Sequence, residues 1–96
     1  LAWNFAPMVD GSRDARWGRG VEGAGEDVLL GTRLAAARVE GFQGVGLNDP
    51  TAMMATPKHL AAYGAASAGL DYAGAEVSER TLREVYFPPF QAAFDA

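Results

Sequence analysis

Two short apolar runs, separated by a polar loop and an amphipathic stretch, predict a pair of buried strands. The first run covers residues 3–9 and has Pro7 in its last part, because proline cannot donate to a strand ladder. The second run, residues 52–56, is predicted as a strand although methionine and alanine are poor strand formers. The chain between the runs is long enough for a crossover helix, so the strands are predicted to be parallel.

Two stretches of helical spacing complete the pattern. Apolar residues recur every three to four positions over residues 28–42, directly after the acidic pair 26–27, which suits a helix N-terminus. Ser78 is a good N-cap for a second stripe that continues to the end of the chain. The prolines at 88–89 predict either a kink in this helix or the start of a new one. The order strand, helix, strand, helix predicts an α/β fold.

The polar residues concentrate in two places, each directly after a predicted strand. Residues 10–25 form a long loop that holds five glycines, three arginines and three acids, and Lys58-His59 follow the second strand. In parallel α/β folds, the loops after the carboxyl ends of the strands build the functional site, whether the sheet is open or closed. We therefore expect the loop and the basic pair to meet on one face of the sheet.

Composition and charge exclude several classes of protein. The 96 residues contain no cysteine, which excludes a disulfide scaffold, a thiolate metal site and a cysteine nucleophile. The formal net charge of −4 argues against a dedicated nucleic-acid-binding protein, which normally has a basic face. No apolar run approaches the roughly 20 residues that span a bilayer, and no signal peptide is visible. We predict neither a bound metal ion nor a cofactor.

The loop and the basic pair each allow a structural and a functional interpretation. Arginines that alternate with acids usually brace a loop, which is our prediction for Arg13 and Arg16, and Trp17 is expected to pack beneath it. A phosphate loop is disfavoured because neither GxGxxG nor GxxxxGK[ST] is present. A lone histidine is more often packed than functional, but a lysine beside His59 at the mouth of a sheet favours a functional role. Adjacent residues of a regular strand point to opposite faces, so Lys58 and His59 reach one ligand only if the backbone deviates between them, by a bulge or a non-proline cis peptide.

Several longer motifs occur in order along essentially the whole chain. They are Phe5-Ala6-Pro7-Met8-Val9-Asp10, Ser12-Arg13-Asp14-Ala15-Arg16-Trp17-Gly18-Arg19, Glu22, Gly25-Glu26-Asp27, Lys58-His59-Leu60-Ala61-Ala62-Tyr63-Gly64 and Glu79-Arg80-Thr81-Leu82-Arg83-Glu84-Val85-Tyr86-Phe87-Pro88-Pro89-Phe90. Together they resemble glycoside hydrolase family 3, and most closely its bacterial β-glucosidases of the periplasmic type.

That resemblance implies a particular fold. It is a partial (β/α)8 barrel of the TIM type, made of about two β/α units with long loops after the strands. Residues 1–96 would be an internal fragment of the family's N-terminal barrel domain, with the remainder of the barrel and an α/β sandwich domain outside them. The sequence agrees, because it opens in an apolar run and stops inside a helical pattern, whereas domain boundaries usually fall in polar linkers; a complete small domain with trimmed tails is the alternative.

The resemblance also implies a function, that of a retaining, exo-acting β-glycosidase that hydrolyses a β-glucoside or oligosaccharide. Arg19, Lys58 and His59 are expected, by resemblance, to hydrogen-bond hydroxyls of the sugar in the −1 subsite. The nucleophilic aspartate and the acid/base glutamate are expected downstream, so the fragment alone is predicted to be inactive. A further sugar-binding aspartate is expected upstream of Leu1, and the protein is expected to be periplasmic or secreted.

Two departures from the family pattern are visible, and several alternatives stay open. Ala15 stands where proline is common, and Pro57 stands where a small or branched residue is usual. Residues 60–64 lack the second histidine of the β-N-acetylglucosaminidase branch, which favours a glucosidase or a xylosidase. A β-xylosidase, a β-N-acetylglucosaminidase, and a non-catalytic carbohydrate-binding or scaffold domain of degenerate barrel type are the alternatives. A phosphate or nucleotide module ranks behind them.

Overall fold

A computed structural model describes residues 2–96 and shows one parallel pair of strands beside two helical segments. Strand β1 (Ala2–Trp3) pairs with β2 (Met53–Met54) in parallel, with Ala2 opposite Met53 and Trp3 opposite Met54. The predicted α/β class and the parallel pairing are confirmed.

The regular strands are shorter than the predicted runs. Beyond β1 the pairing continues as single backbone hydrogen bonds, from Thr56 N to the Ala6 carbonyl at 2.7 Å and from Lys58 N to the Pro7 carbonyl at 3.1 Å. Val9 N in turn donates to the Lys58 carbonyl at 2.8 Å. The side chain of Asn4 accepts from the Ala6 N–H at 2.8 Å, and Pro7 accepts without donating because proline has no N–H, so the regular ladder does not continue through these residues. The extended segments are paired as predicted, but their extent as regular strand was overestimated.

Helix α1 (Val28–Gln43) has the boundaries that the pattern indicates. The side chain of Asp27 caps its N-terminus by accepting from the Leu30 N–H at 2.7 Å, an interaction that contributes about 1 kcal/mol. Gly44 ends the helix with φ of 56°, a positive value that glycine adopts without strain. Both ends of α1 are therefore set by local residue chemistry.

The sequence left open whether the two prolines kink one helix or begin another. The second helical segment consists of α2 (Glu79–Thr81), a π-helical turn (Leu82–Tyr86) and α3 (Phe87–Asp95), so an α-helical element begins at the prolines directly after a π-helical turn. Ser78 caps α2, as predicted, by accepting from the Thr81 N–H at 3.1 Å. Pro88 and Pro89 lie in the first turn of α3, where their missing N–H groups cost least.

The core lies where α1 and α3 pack together against the extended segment before the loop. Its buried members are Val9, Ala35, Val39, Phe90 and Ala93. Other large apolar side chains stay exposed, among them Phe5 at 67%, Leu60 at 68% and Phe94 at 63%. In the part of the chain that the structure describes, residues 2–96, no helix is both long and apolar enough to cross a membrane.

Candidate functional site

A buried carboxylate holds His59 at the point where the two extended segments end. Asp10 is only 2% exposed, and its Oδ2 accepts from both the backbone N–H and the ring Nδ1 of His59, each at 2.9 Å. Its second oxygen, Oδ1, is buried and has no hydrogen-bond partner within residues 2–96. The main chain and the imidazole of His59 are therefore tied to one oxygen atom.

Arg19 reaches the opposite side of the same imidazole. Its Nε and Nη2 donate to the two carboxylate oxygens of Glu22, at 2.7 and 2.8 Å, which leaves Nη1 free of that pair. This Nη1 lies 3.5 Å from Nε2 of His59. A guanidinium can only donate, so Nε2 accepts in this contact and the ring proton lies on Nδ1, directed at Asp10.

Lys58 directly precedes His59 in the chain, and Arg19, Lys58 and His59 together are called the basic cluster below. The Lys58–His59 peptide bond is cis, which is one of the two backbone deviations expected from the sequence. Lys58, which is half-buried, and Glu22, which is exposed, both line a cavity of about 330 Å³. The pKa of Glu22 is lowered chiefly by its hydrogen bonds to Arg19, and the charge of Lys58 lowers it further. Arg19 and His59 thus meet directly, and Lys58, next to His59 in the chain, lines one cavity with Glu22, the partner of Arg19.

An aromatic ring lies beside two of these side chains. The guanidinium carbon of Arg19 is 5.4 Å from the ring centroid of Tyr63, and the ring of His59 meets Tyr63 edge-on, with centroids 5.0 Å apart. The hydroxyl of Tyr63 donates to Asp71, whose Oδ1 also accepts from Nε1 of Trp17 at 3.2 Å. Trp17 is only 3% exposed, which confirms its predicted packing role.

The remaining arginines of the loop separate into two cases. Arg16 forms a bidentate pair with Asp14, at 2.9 and 2.7 Å, and so braces the loop as predicted. Arg13 belongs to no ion pair within residues 2–96, so the brace predicted for it is not observed. The helix after the loop is capped by its own Asp27, which occupies a backbone N–H that a phosphate would need. This geometry further disfavours a phosphate loop.

Several residues of the cluster were missed by reasoning from the sequence. Asp10 follows the first predicted strand as Lys58 follows the second, so the expectation that functional residues lie just after parallel strands also applied to Asp10. Glu22 is three residues after Arg19, a spacing that allows an ion pair. Tyr63 lies in one of the family motifs but no pattern indicated a role for it, and Asp71 lies outside all of them. Within residues 2–96, no group of three histidine, aspartate or glutamate side chains is arranged to hold a metal ion.

Comparison with known sequences establishes the family. The sequence model of the glycosyl hydrolase family 3 N-terminal domain matches residues 1–96, and the chain belongs to this family. The periplasmic β-glucosidase of Salmonella typhimurium is 43% identical over 96 residues, which cover 100% of this chain and 12% of that protein. A β-xylosidase of Formosa agariphila is 45% identical over 92 residues, which cover 93% of this chain and 13% of that protein.

Solved structures agree with the family assignment. A β-glucosidase from Listeria innocua in complex with isofagomine superposes with a TM-score of 0.94 at 45% identity, over 98% of this chain and 14% of that one. An exo-1,3/1,4-β-glucanase from Pseudoalteromonas superposes with a TM-score of 0.91 at 35% identity, over 99% of this chain and 12% of that one. The chain therefore spans only 12% to 14% of the length of these relatives. It matches a piece of a β-glucosidase fold.

Proposed function

We propose that residues 1–96 form part of the N-terminal (β/α)8-type barrel domain of a retaining, exo-acting β-glycosidase of the β-glucosidase type. The parallel strands and the helices packed beside them fit about two β/α units of such a barrel. The exposed Phe5, Leu60 and Phe94 support the proposal, since further barrel strands and helices would cover apolar side chains of this size. The periplasmic location named for the Salmonella relative supports a periplasmic or secreted protein.

In the proposed enzyme, Arg19, Lys58 and His59 hold hydroxyl groups of the sugar in the −1 subsite. The observation that carries this proposal is the 3.5 Å contact between Arg19 and His59, with Lys58 next in the chain. Charged donors make short, strong hydrogen bonds to sugar oxygens. Bonds that tighten as the ring approaches an oxocarbenium-like transition state raise the rate as well as the affinity.

The two carboxylates of the cluster are engaged as partners of the basic side chains. Glu22 is bidentate to Arg19, and Asp10 accepts two hydrogen bonds from His59. A retaining glycosidase needs a nucleophile and an acid/base about 5–5.5 Å apart on either side of the scissile bond. We assign these two roles to residues outside 1–96, so the 96-residue chain by itself should not turn over a glycoside.

The experiment replaces Lys58, the only lysine of the chain, by methionine in the longer polypeptide that carries this sequence. We expect kcat/KM for an aryl β-glucoside to fall at least tenfold, about 1.4 kcal/mol of transition-state stabilisation, with an unchanged melting temperature. The matched control, Arg33→Met, removes an exposed cation of α1 and should leave the kinetics unchanged. Wild-type kinetics in Lys58→Met would reject the assignment of the −1 subsite.

A β-xylosidase is the second candidate, favoured by the 45% identity to the Formosa enzyme. Glucose differs from xylose by one exocyclic hydroxymethyl group, so both sugars present the ring hydroxyls that the basic cluster would bind. The ratio of kcat/KM for matched aryl β-glucoside and β-xyloside substrates decides between them. Binding of glucose without turnover of either substrate would indicate a non-catalytic carbohydrate-binding domain instead.

A further inference from the structure

We infer that Tyr63, held in place by Asp71, is a positioning residue that fixes Arg19 and His59 toward one common ligand. The inference rests on the proposed function, because the ligand in question is the sugar of the −1 subsite. It assigns Tyr63 and Asp71 an effect on the sugar that is exerted through Arg19 and His59.

The ring of Tyr63 is placed to restrain both side chains at once. It lies 5.4 Å from the guanidinium carbon of Arg19, in cation–π range, and it packs at 79° to the imidazole of His59. Without the ring, Arg19 keeps Glu22 as a partner and His59 keeps Asp10, and the 3.5 Å contact between Arg19 and His59 is the one side-chain hydrogen bond that joins the two pairs within residues 2–96. A displacement of about 1 Å in such a pair is enough to reduce catalysis strongly.

Asp71 anchors Tyr63 to the arginine loop. One of its oxygens accepts from the hydroxyl of Tyr63 and from the indole N–H of the buried Trp17. The hydrogen bond to Asp71 raises the pKa of Tyr63 to about 12, so the hydroxyl keeps its proton and remains a donor at physiological pH. Hydrogen bonds from Tyr63 and then from Trp17 lower the pKa of Asp71, which stays an anion there.

Two glycines let the segment after His59 lie directly on the arginine loop. A Cβ on Gly64 would overlap the carbonyl oxygen of Gly11, and one on Gly69 would come within 2.8 Å of the backbone nitrogen of Trp17. Gly69 also has φ of 68°, which disfavours any other residue. The segment that carries Tyr63 and Asp71 is therefore docked at both ends onto the loop that carries Arg19.

The test is a double-mutant cycle in the longer polypeptide, with kcat/KM for an aryl β-glucoside and the Kd for isofagomine as readouts. Tyr63→Leu should lower kcat/KM about tenfold, Asp71→Ala about threefold, and Tyr63→Phe, which keeps the ring, should restore most of the loss. If Tyr63 acts through Arg19, the effect of Tyr63→Leu should shrink to less than about twofold in an Arg19→Met background. Arg33→Met, at an exposed position of α1 away from these side chains, is the control and should leave both readouts unchanged.

Each outcome decides the inference. Non-additive losses in kcat/KM and in Kd support it, and if Tyr63→Leu fails to fold, the cycle with Asp71→Ala gives the same decision. Fully additive losses, or wild-type values in Tyr63→Leu, overturn it while leaving an active wild-type enzyme and hence the proposed function intact. A wild-type protein that neither hydrolyses an aryl β-glycoside nor binds isofagomine overturns the proposed function, and this inference with it.

Discussion

Removing the carboxylate of Asp10 measures how much the orientation of His59 depends on a buried partner. The carboxyl group is 1% exposed, and a single oxygen accepts both hydrogen bonds from His59, each at 2.9 Å. Asp10→Ala deletes both bonds. Asp10→Asn keeps a neutral acceptor of the same shape, so the pair of variants separates the charge from the hydrogen bonds.

The size of the effect follows from the geometry. A hydrogen bond to a charged group contributes about 1.5–3 kcal/mol, so two bonds represent roughly 3–6 kcal/mol. The side chain of His59 is 34% exposed, and water replaces part of the loss at its ring nitrogen. We therefore expect Asp10→Ala to lower the free energy of unfolding by about 3 kcal/mol. Asp10→Asn should cost about half as much, since neutral acceptors bond about half as strongly.

Urea unfolding and steady-state kinetics on an aryl β-glucoside provide the two measurements. If the carboxylate orients His59 toward the sugar, kcat/KM should fall at least tenfold in Asp10→Ala and by a smaller factor in Asp10→Asn, each measured where the protein remains folded. A variant of Asp10→Ala that is destabilised but retains wild-type kcat/KM would show that the bonds serve folding only. That result would refute the claim that Asp10 prepares His59 for binding.

Three further outcomes are expected. Gly64→Ala should lower the free energy of unfolding by at least about 2 kcal/mol because its Cβ would overlap the Gly11 carbonyl, whereas Gly41→Ala in α1 meets no atom within 4 Å and should stabilise by up to about 1 kcal/mol; thermal unfolding compares the two. The hydrogen bonds from Arg16 lower the pKa of Asp14 from 3.8 to about 2, so this pair stabilises the fold above pH 4 and the contribution is lost as the pH falls toward 2. Stability curves of wild type and Asp14→Asn should therefore converge between pH 4 and 2, and parallel curves would contradict the assignment. The purified 96-residue chain should not hydrolyse an aryl glucoside, and measurable turnover would contradict the placement of both catalytic carboxylates outside it.

The elements that could be predicted are those whose causes lie within a few residues. Asp27 accepts from an N–H three positions on, Gly44 supplies the positive φ at the helix end, and Ser78 caps the next helix in the same way as Asp27. The length of the strands depends instead on what the partner segment offers. The side chain of Asn4 accepts from the Ala6 N–H at 2.8 Å and Pro7 has no N–H to donate, so the regular ladder is limited to two residues on each side.

The contacts of the candidate site also divide into local ones, which the sequence indicates, and distant ones, which depend on the fold. Arg16 pairs with Asp14 two residues away, and its role as a brace was visible in the alternation of charges. Arg19 and His59 are 40 residues apart, and they could be expected to meet only because each follows a strand of the same parallel pair.

No such rule covers the segment that carries Tyr63 and Asp71. Residues 61–75 are so rich in alanine and glycine that they show no period, and the reason for Gly64 is a carbonyl on Gly11 rather than anything nearby in the chain. Trp17 and Asp71 are 54 residues apart and connected by no strand register. A contact of this kind follows from the shape of two irregular segments after they have docked, and local hydrophobic pattern contains no information about it. The residues that hold the basic cluster in place are consequently harder to find from sequence than the cluster itself: Tyr63 stands in a family motif that gives it no role, and Asp71 stands in none.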